Sequence, residues 1–247
     1  MGPQRSIPQY TLDGVRGADV STYRYRTEDG LELSLLRFCR QPCDDVVLVV
    51  SGLTTSSDMF IMPEHRNLVS FLLDNGFTDV WTADVRFSNR HPYNTQGRRD
   101  TLDEVARYDF APALELIART TGVDAVHVIA HCLGSTAIMM AVFGQVDGVA
   151  GRVRSIVANS VGLTPRVPLW SRIKLAVAPV ILEDLLGLRW IGPKWSEQPL
   201  CSRGGFIARL IGLFHPECDT SACHMLSLMW GSGHPALYRH ENLHPVT

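Results

Sequence analysis

The sequence predicts an α/β domain built on a mostly parallel sheet with helices on both faces, and two observations predict it. Short runs of consecutive apolar, β-branched residues recur, as in Val46-Val47-Leu48-Val49-Val50, and such runs suit strands covered on both sides. Each run gives way to a polar loop and then to apolar residues at helical spacing, the alternation that generates parallel sheets. With 247 residues, 45% of them apolar, the chain can bury a sizeable core as one domain with an insertion. A formal net charge of −2 leaves no electrostatic footprint for phosphate backbones, so nucleic acid is not an expected partner.

Residues 23–38 alternate around Asp29-Gly30, a favoured two-residue turn pair, and read as a hairpin of two exposed or edge strands. The buried run 46–50 ends in the polar loop Ser51-Gly52-Leu53-Thr54-Thr55-Ser56-Ser57-Asp58. A helix is expected over 67–75, with Leu68, Phe71 and Leu72 at helical spacing and Gly76 as its terminator. Residues 79–85 form the next strand, followed by a polar stretch to Arg99. Thr101 and Glu104 make a capping-box pattern. Asp109 is placed to cap a further helix, whose first turn tolerates Pro112 and whose buried face is Leu114, Ile117 and Ala118. Residues 126–130 and 154–159 complete the set of buried strands. Beyond Ser160 the texture changes to Leu, Ile, Trp, Pro and Gly, with helical patches over 173–188 and 206–214. The expected division is a core over 1–160 and a mostly helical cap over 161–247.

The segment that carries chemistry is Ala130-His131-Cys132-Leu133-Gly134, a small-x-nucleophile-x-small pattern between a buried strand and an apolar helix. A sharp bend there brings strand and helix so close that only small residues fit on either side, here Ala130 and Gly134. Cys132 is therefore the candidate nucleophile: a thiolate is intrinsically nucleophilic, and the amino end of a helix favours its charge. Attack on an ester or thioester carbonyl creates an oxyanion. The backbone N–H groups of Leu133, first in the helix, and of Leu53, beside Gly52 in the loop after the first buried strand, are the candidate donors. Losing one such donor costs about 3 kcal/mol of transition-state stabilisation. A second reading makes Cys132 a buried structural thiol that happens to follow a strand.

The layout Ser51-Gly52-Leu53…Ser57-Asp58, Asp79-Val80-Trp81…Arg86…Asn89, Tyr108-Asp109…Pro112-Ala113 and His131-Cys132-Leu133-Gly134 resembles the acid-lipase branch of the α/β-hydrolases. It also resembles hydrolase-like domains fused behind cholesterol-oxidase-type (GMC) flavoenzymes. The likeness covers roughly 23–159 and, for the fused domains, runs on to His244. It implies an α/β-hydrolase fold and hydrolysis of lipophilic carboxylic esters or thioesters through an acyl-Cys132 intermediate. Two alternatives stand beside this: a non-catalytic domain of the same fold that binds apolar ligands or associates with a flavoenzyme, and a thiol-dependent acyltransferase. Two positions depart from the acid-lipase pattern, which has Ser at Cys132 and His-Gly at Ser51-Gly52. Cysteine elbows do occur in dienelactone hydrolases and polyhydroxyalkanoate synthases.

In this fold the acid and the histidine come late in the chain. Nothing after Asn159 reads as the strands that would carry them, so a C-terminally truncated domain is expected, with an uncovered sheet edge prone to self-association. His224, His234, His240 and His244 as base, and Asp184, Glu217 and Asp219 as acid, require the cap to fold back over the elbow. His131, next to Cys132, is expected to point away and pack beside the strand. Six cysteines are too few for a disulfide scaffold, and Cys39 and Cys43 are read as packing residues. His215, Cys218, Cys223 and His224 crowd soft ligands together, yet their spacing fits no familiar zinc site. Whether they bind metal stays open, and no metal or cofactor is assigned. Without a secretory signal or a bilayer-length apolar run, the expected location is cytoplasmic. Trp170, Trp190, Trp195 and Trp230 pack the cap, line an acyl tunnel or meet a lipid surface. The expected partner is an apolar ester or lipid, with peripheral lipid contact through the cap.

Overall fold

The computed structural model describes residues 12–53, 55–63, 66–88, 90–91, 100–164 and 201–214, with positions 169, 172–173, 176–177, 180–185, 187 and 199 between them. The chain divides into two compact units, Met1–Pro165 and Arg166–Thr247.

Among the described residues the first unit holds one six-stranded sheet. Its strands are β1 (Asp19–Arg26), β2 (Glu32–Cys39), β3 (Val47–Val50), β4 (Asp79–Asp84), β5 (Val126–His131) and β6 (Val153–Asn159). They lie in the order β1-β2-β4-β3-β5-β6. β3 runs parallel to both neighbours and β5 parallel to β6, while β2 is antiparallel to β1 and β4. Four helices connect them: α1 (Leu68–Asp74), α2 (Leu102–Glu104), α3 (Phe110–Thr121) and α4 (Leu133–Phe143). The second unit contains a π turn at Val180–Leu185 and α5 (Arg203–Phe214).

Period-two alternation along the central strands sorts the core into two layers. Leu33, Leu35, Leu48, Val50, Trp81, Ala83 and Val128 face α3 and α4, meeting Leu114, Ile117, Ile138 and Ala141. Leu36, Phe38, Val47, Val49 and Val80 face α1 and meet Val69, Leu72 and Leu73. Helices therefore cover both faces, and every residue of β3 and β4 is buried, which is why β3 is a continuous apolar run. Local signals set the helix ends: the Asn67 side chain accepts from Ser70 N–H, Gly76 takes φ +99°, and Thr101 and Glu104 close a reciprocal capping box.

Several local expectations are corrected. β2 is not an edge strand, because β4 pairs along its far side; only β1 of the hairpin is an edge. The turn is longer than Asp29-Gly30: Thr27 N–H donates to Leu31 O, and the Thr27 hydroxyl holds Asp29, so residues 27–31 form the loop. Phe71 faces outward, 43% exposed, with the Arg66 guanidinium over its ring, and Val69 and Leu73 take the buried positions. Among the described residues β6 is an edge of the sheet, with Val157 59% exposed, where a covered strand was expected. Asp109 does not cap α3. It lies inside a π turn, Val105–Asp109, at helical φ and ψ, and its carboxylate is turned into the core.

Candidate functional site

The end of β5 bends sharply into α4 at one residue. Cys132 sits at φ 53°, ψ −127° as the N-cap of α4, a conformation that costs an L residue about 1–3 kcal/mol and persists only where its surroundings impose it. Those surroundings are visible. Cys132 N–H donates to the carbonyl of Asn159 at the end of β6 (2.9 Å), and Thr136 N–H donates to Cys132 O (3.2 Å). The Ser135 hydroxyl donates to the same Asn159 carbonyl (3.0 Å), tying the first turn of α4 to β6.

Close packing explains the small residues. A Cβ on Gly134 would lie 2.2 Å from Ser51 O, and one on Gly52 would lie 2.9 Å from Cys132 Cβ. Glycine at both positions lets the end of β3 touch the bend itself. Cys132, Leu133 and Leu53 are all half-buried. Leu133 N–H belongs to the first turn of α4, where no carbonyl four residues back within the helix can receive it. Leu53 follows Gly52, whose N–H donates to Thr55 Oγ1 (3.1 Å) while the same hydroxyl donates back to Gly52 O (3.2 Å). All three sequence candidates thus lie on the two segments that meet at the bend.

Two buried polar networks lie beyond the carboxyl ends of β3 and β4; Ser57, Asp58, Arg86 and Asp109 stood in the lipase-like layout of the sequence, but their pairing into networks was not foreseen. In the first, Asp84 accepts from Ser57 N–H (2.9 Å), Ser57 Oγ (2.9 Å) and Ser88 Oγ (3.0 Å), and Thr82 Oγ1 donates to Ser57 Oγ (2.7 Å). His91 Nε2 lies 2.9 Å from Asp84 O; a carbonyl only accepts, so this nitrogen carries the hydrogen. Burial pushes the Asp84 carboxyl above the usual carboxylate range, against the pull of the Ser57 hydrogen bonds. Beside it Asp58 accepts from Ser56 Oγ (2.7 Å) and pairs with Arg90.

The second network centres on Arg86, which is fully buried. Its Nε (2.8 Å), one terminal nitrogen (2.6 Å) and its backbone N–H (2.9 Å) donate to Asp109. The guanidinium also grips Asp29 (2.9 and 3.2 Å) and stands 3.5 Å from Asp100. Burial pushes the Asp109 carboxyl up to about 6, offset in part by Arg86. Burial acts in the same sense on Asp29, but hydrogen bonds from Thr27 and Arg86 hold that carboxyl below its ordinary value. The contacts that join Ser57 to Asp84 and Arg86 to Asp29 and Asp109 span 23 to 57 positions of the chain, beyond the reach of local patterns.

Three described histidines differ in setting. His131 ends β5, and its Nδ1 is buried with no partner among the described residues; burial holds the imidazole below its ordinary value. His127 bonds Ser155 Oγ (2.7 Å) at the opposite end of β5. His91 belongs to the Asp84 network. His215, His224, His234, His240, His244, Cys218, Cys223, Glu217, Asp219 and the four cap tryptophans lie outside the described residues. Asp184 is exposed in the π turn of the second unit. Among the described residues no group of three or more His, Cys, Asp or Glu is arranged to hold a metal ion, and no helix is long and apolar enough to cross a membrane.

No family model matches the chain. Its relatives include the lysosomal acid lipase/cholesteryl ester hydrolase of Macaca fascicularis, 26% identical over 222 residues and covering 82% of this chain and 55% of that protein. The Homo sapiens protein of the same name is 27% identical over 200 residues, covering 73% and 50%. Lipase member J of Homo sapiens is 26% identical over 147 residues, covering 53% and 40%. The chain thus spans between 40% and 55% of the length of these relatives. Among solved structures, an esterase of Pyrococcus furiosus aligns with a TM-score of 0.49 at 18% identity, covering 72% of this chain and 70% of that one. A mostly parallel sheet of this order with helices on both faces, and a sharp bend from β5 into α4, is an α/β-hydrolase fold, the fold its similarity to lipases points to.

Proposed function

We propose that the chain is an ester hydrolase acting on lipophilic carboxylic esters or thioesters, with Cys132 as nucleophile and the Leu133 and Leu53 N–H groups as oxyanion donors. The observation that carries this reading is the backbone of Cys132, held at positive φ between a buried strand and a helix. A structural thiol needs no such conformation, whereas a nucleophile presented at the rim of a sheet does.

The Cys132 sulfur attacks the carbonyl carbon as its proton passes to a base. The tetrahedral oxyanion collapses, the C–O bond of the ester breaks, and the alcohol leaves with a proton, giving an S-acyl thioester. Water then attacks the thioester, releasing the carboxylic acid and restoring the thiol. Histidine is the commonest such base; the late histidines His224, His234, His240 and His244 lie outside the described residues. A lipophilic substrate is supported by the names of the lipase relatives. A reducing, cytoplasmic setting would keep the sulfur free.

Mixing the chain with a chromogenic acyl ester tests the reading. It predicts a burst of chromophore equal to the amount of chain, followed by slower turnover, and loss of both in Cys132→Ala. Equal ester turnover in Cys132→Ala would refute it. Binding of apolar ligands or of a flavoenzyme without a burst supports the non-catalytic alternative, and transfer of the acyl group to a second thiol or alcohol in preference to water supports the acyltransferase.

A further inference from the structure

We propose that Asp84 is a positioning residue for the oxyanion loop, holding Ser57 so that the Gly52-Leu53 peptide stays against Cys132; this rests on the hydrolase reading above. Asp84 is buried at the end of β4, and among the described residues no lysine or arginine pairs with it. Its carboxylate instead receives one backbone N–H and two hydroxyls. A carboxylate buried among neutral donors is a poor choice for stability alone, since an apolar residue of similar size avoids its desolvation. Its donors explain its presence. Two of the three come from Ser57, in the loop that starts at Ser51 and places Gly52 on the bend.

The brace has further points of attachment. Asp58, next to Ser57, pairs with Arg90, and Arg90 N–H donates to Ser88 Oγ, which itself donates to Asp84. At the other end of the loop, Ser51 Oγ donates to Ala83 O (3.4 Å), and Thr55 closes on Gly52. The loop after β3 is thus fastened to β4 and the loop behind it at both ends, leaving Gly52-Leu53 between fixed points. A donor that must meet an oxyanion gains from such preorganisation, because no reorganisation is then needed during reaction. Asp84 touches no reacting atom and acts through Ser57.

The test uses the full chain as wild type, Asp84→Asn and Ser57→Ala, the second variant keeping Asp84 and removing only one hydroxyl. Amide hydrogen exchange of peptides covering 51–58 should accelerate at least tenfold in Asp84→Asn and less in Ser57→Ala, with the peptides of β5 unchanged. Acylation of Cys132 by a chromogenic ester should fall about a hundredfold in Asp84→Asn, the scale of a misplacement near 1 Å. Alkylation of the same sulfur by iodoacetamide, which develops no oxyanion, should stay at the wild-type rate. Substituting Ser57→Thr, which keeps both donors, should restore acylation relative to Ser57→Ala. Unchanged exchange at 51–58, or equal losses of acylation and alkylation, overturns the proposal. If Asp84→Asn does not fold, the Ser57 pair decides by the same two criteria. Failure of the wild type to acylate at all sinks the hydrolase reading instead, and exchange, which needs no chemistry, still decides whether Asp84 braces the loop.

Discussion

Gly52→Ala probes the contact between the oxyanion loop and the bend. A Cβ at position 52 would lie 2.9 Å from Cys132 Cβ and 3.3 Å from His131 O. Non-bonded carbons rest at about 3.5–4.0 Å, so the segments must part by roughly 0.6–1.1 Å. Neither neighbour is the loose end of a side chain. Cys132 Cβ is fixed to a backbone at φ 53° that hydrogen bonds from Thr136 and to Asn159 hold in place, and His131 O is main chain of β5. Overpacking of this kind costs about 1–3 kcal/mol, or roughly 2–12 °C in Tm for a chain of this size. The larger effect falls on chemistry: moving the Leu53 amide by about 1 Å should slow acylation about a hundredfold. Stopped-flow release of a nitrophenolate from its acyl ester measures acylation, and iodoacetamide labelling reports whether the sulfur remains accessible. A Gly52→Ala chain that acylates at the wild-type rate, with its melting temperature lowered as expected, would show that the loop does not supply the oxyanion donor.

Gly134→Ala, whose Cβ would meet Ser51 O at 2.2 Å and Val50 Cγ1 at 3.0 Å, should exceed the usual overpacking cost of about 1–3 kcal/mol. Gly151→Ala, with nothing within 4 Å and no positive φ, should be neutral or stabilise by up to about 1 kcal/mol, and urea titration of both variants against wild type checks the contrast. Arg86→Leu removes the two side-chain hydrogen bonds that the fully buried Asp109 receives from Arg86 and should cost about 3–5 kcal/mol in urea unfolding. Adding Asp109→Asn should recover part of that loss, so a strictly additive double mutant would contradict the pairing. His131 gives a pH dependence whose sign is fixed. Burial holds its imidazole below the ordinary 6.5, so the folded chain binds this proton less readily than the unfolded one. The resulting penalty is absent above 6.5 and grows as the pH falls below it, until the folded-state value is passed. Urea unfolding at about pH 8 and about pH 5.5 should therefore show wild type losing more stability on acidification than His131→Asn.

The central strands and the bend were legible in the sequence because their signals are local. Four valines around Leu48 suit a covered strand, and the spacing of Ala130, Cys132 and Gly134 suits a close approach of strand and helix. The same locality explains what was missed. Residues 154–159 carry the apolar centre Ile156-Val157-Ala158 of a strand, but whether a strand is covered depends on strand order, and among the described residues β6 has a neighbour on one side. Asp109 before a helical segment looks like a cap, yet three hydrogen bonds from Arg86, 23 positions earlier, turn it into the core. Phe71 fits the helical period next to Leu72, but the stripe that meets the sheet is one residue over, through Val69 and Leu73. Asp84 carried no signal, and Ser57 stood only within the lipase-like layout with no role of its own, since an aspartate ending a strand and a serine in a polar loop gain meaning only when the two loops are brought together.

The most direct test of the account is the mass of the peptide containing Cys132 after the chain is mixed with an acyl ester and quenched in acid. The account predicts that this peptide gains the acyl group and loses it again in neutral hydroxylamine, as a thioester does. Hydrolysis of the ester with the Cys132 peptide unmodified, or with the acyl group on another residue, would contradict it.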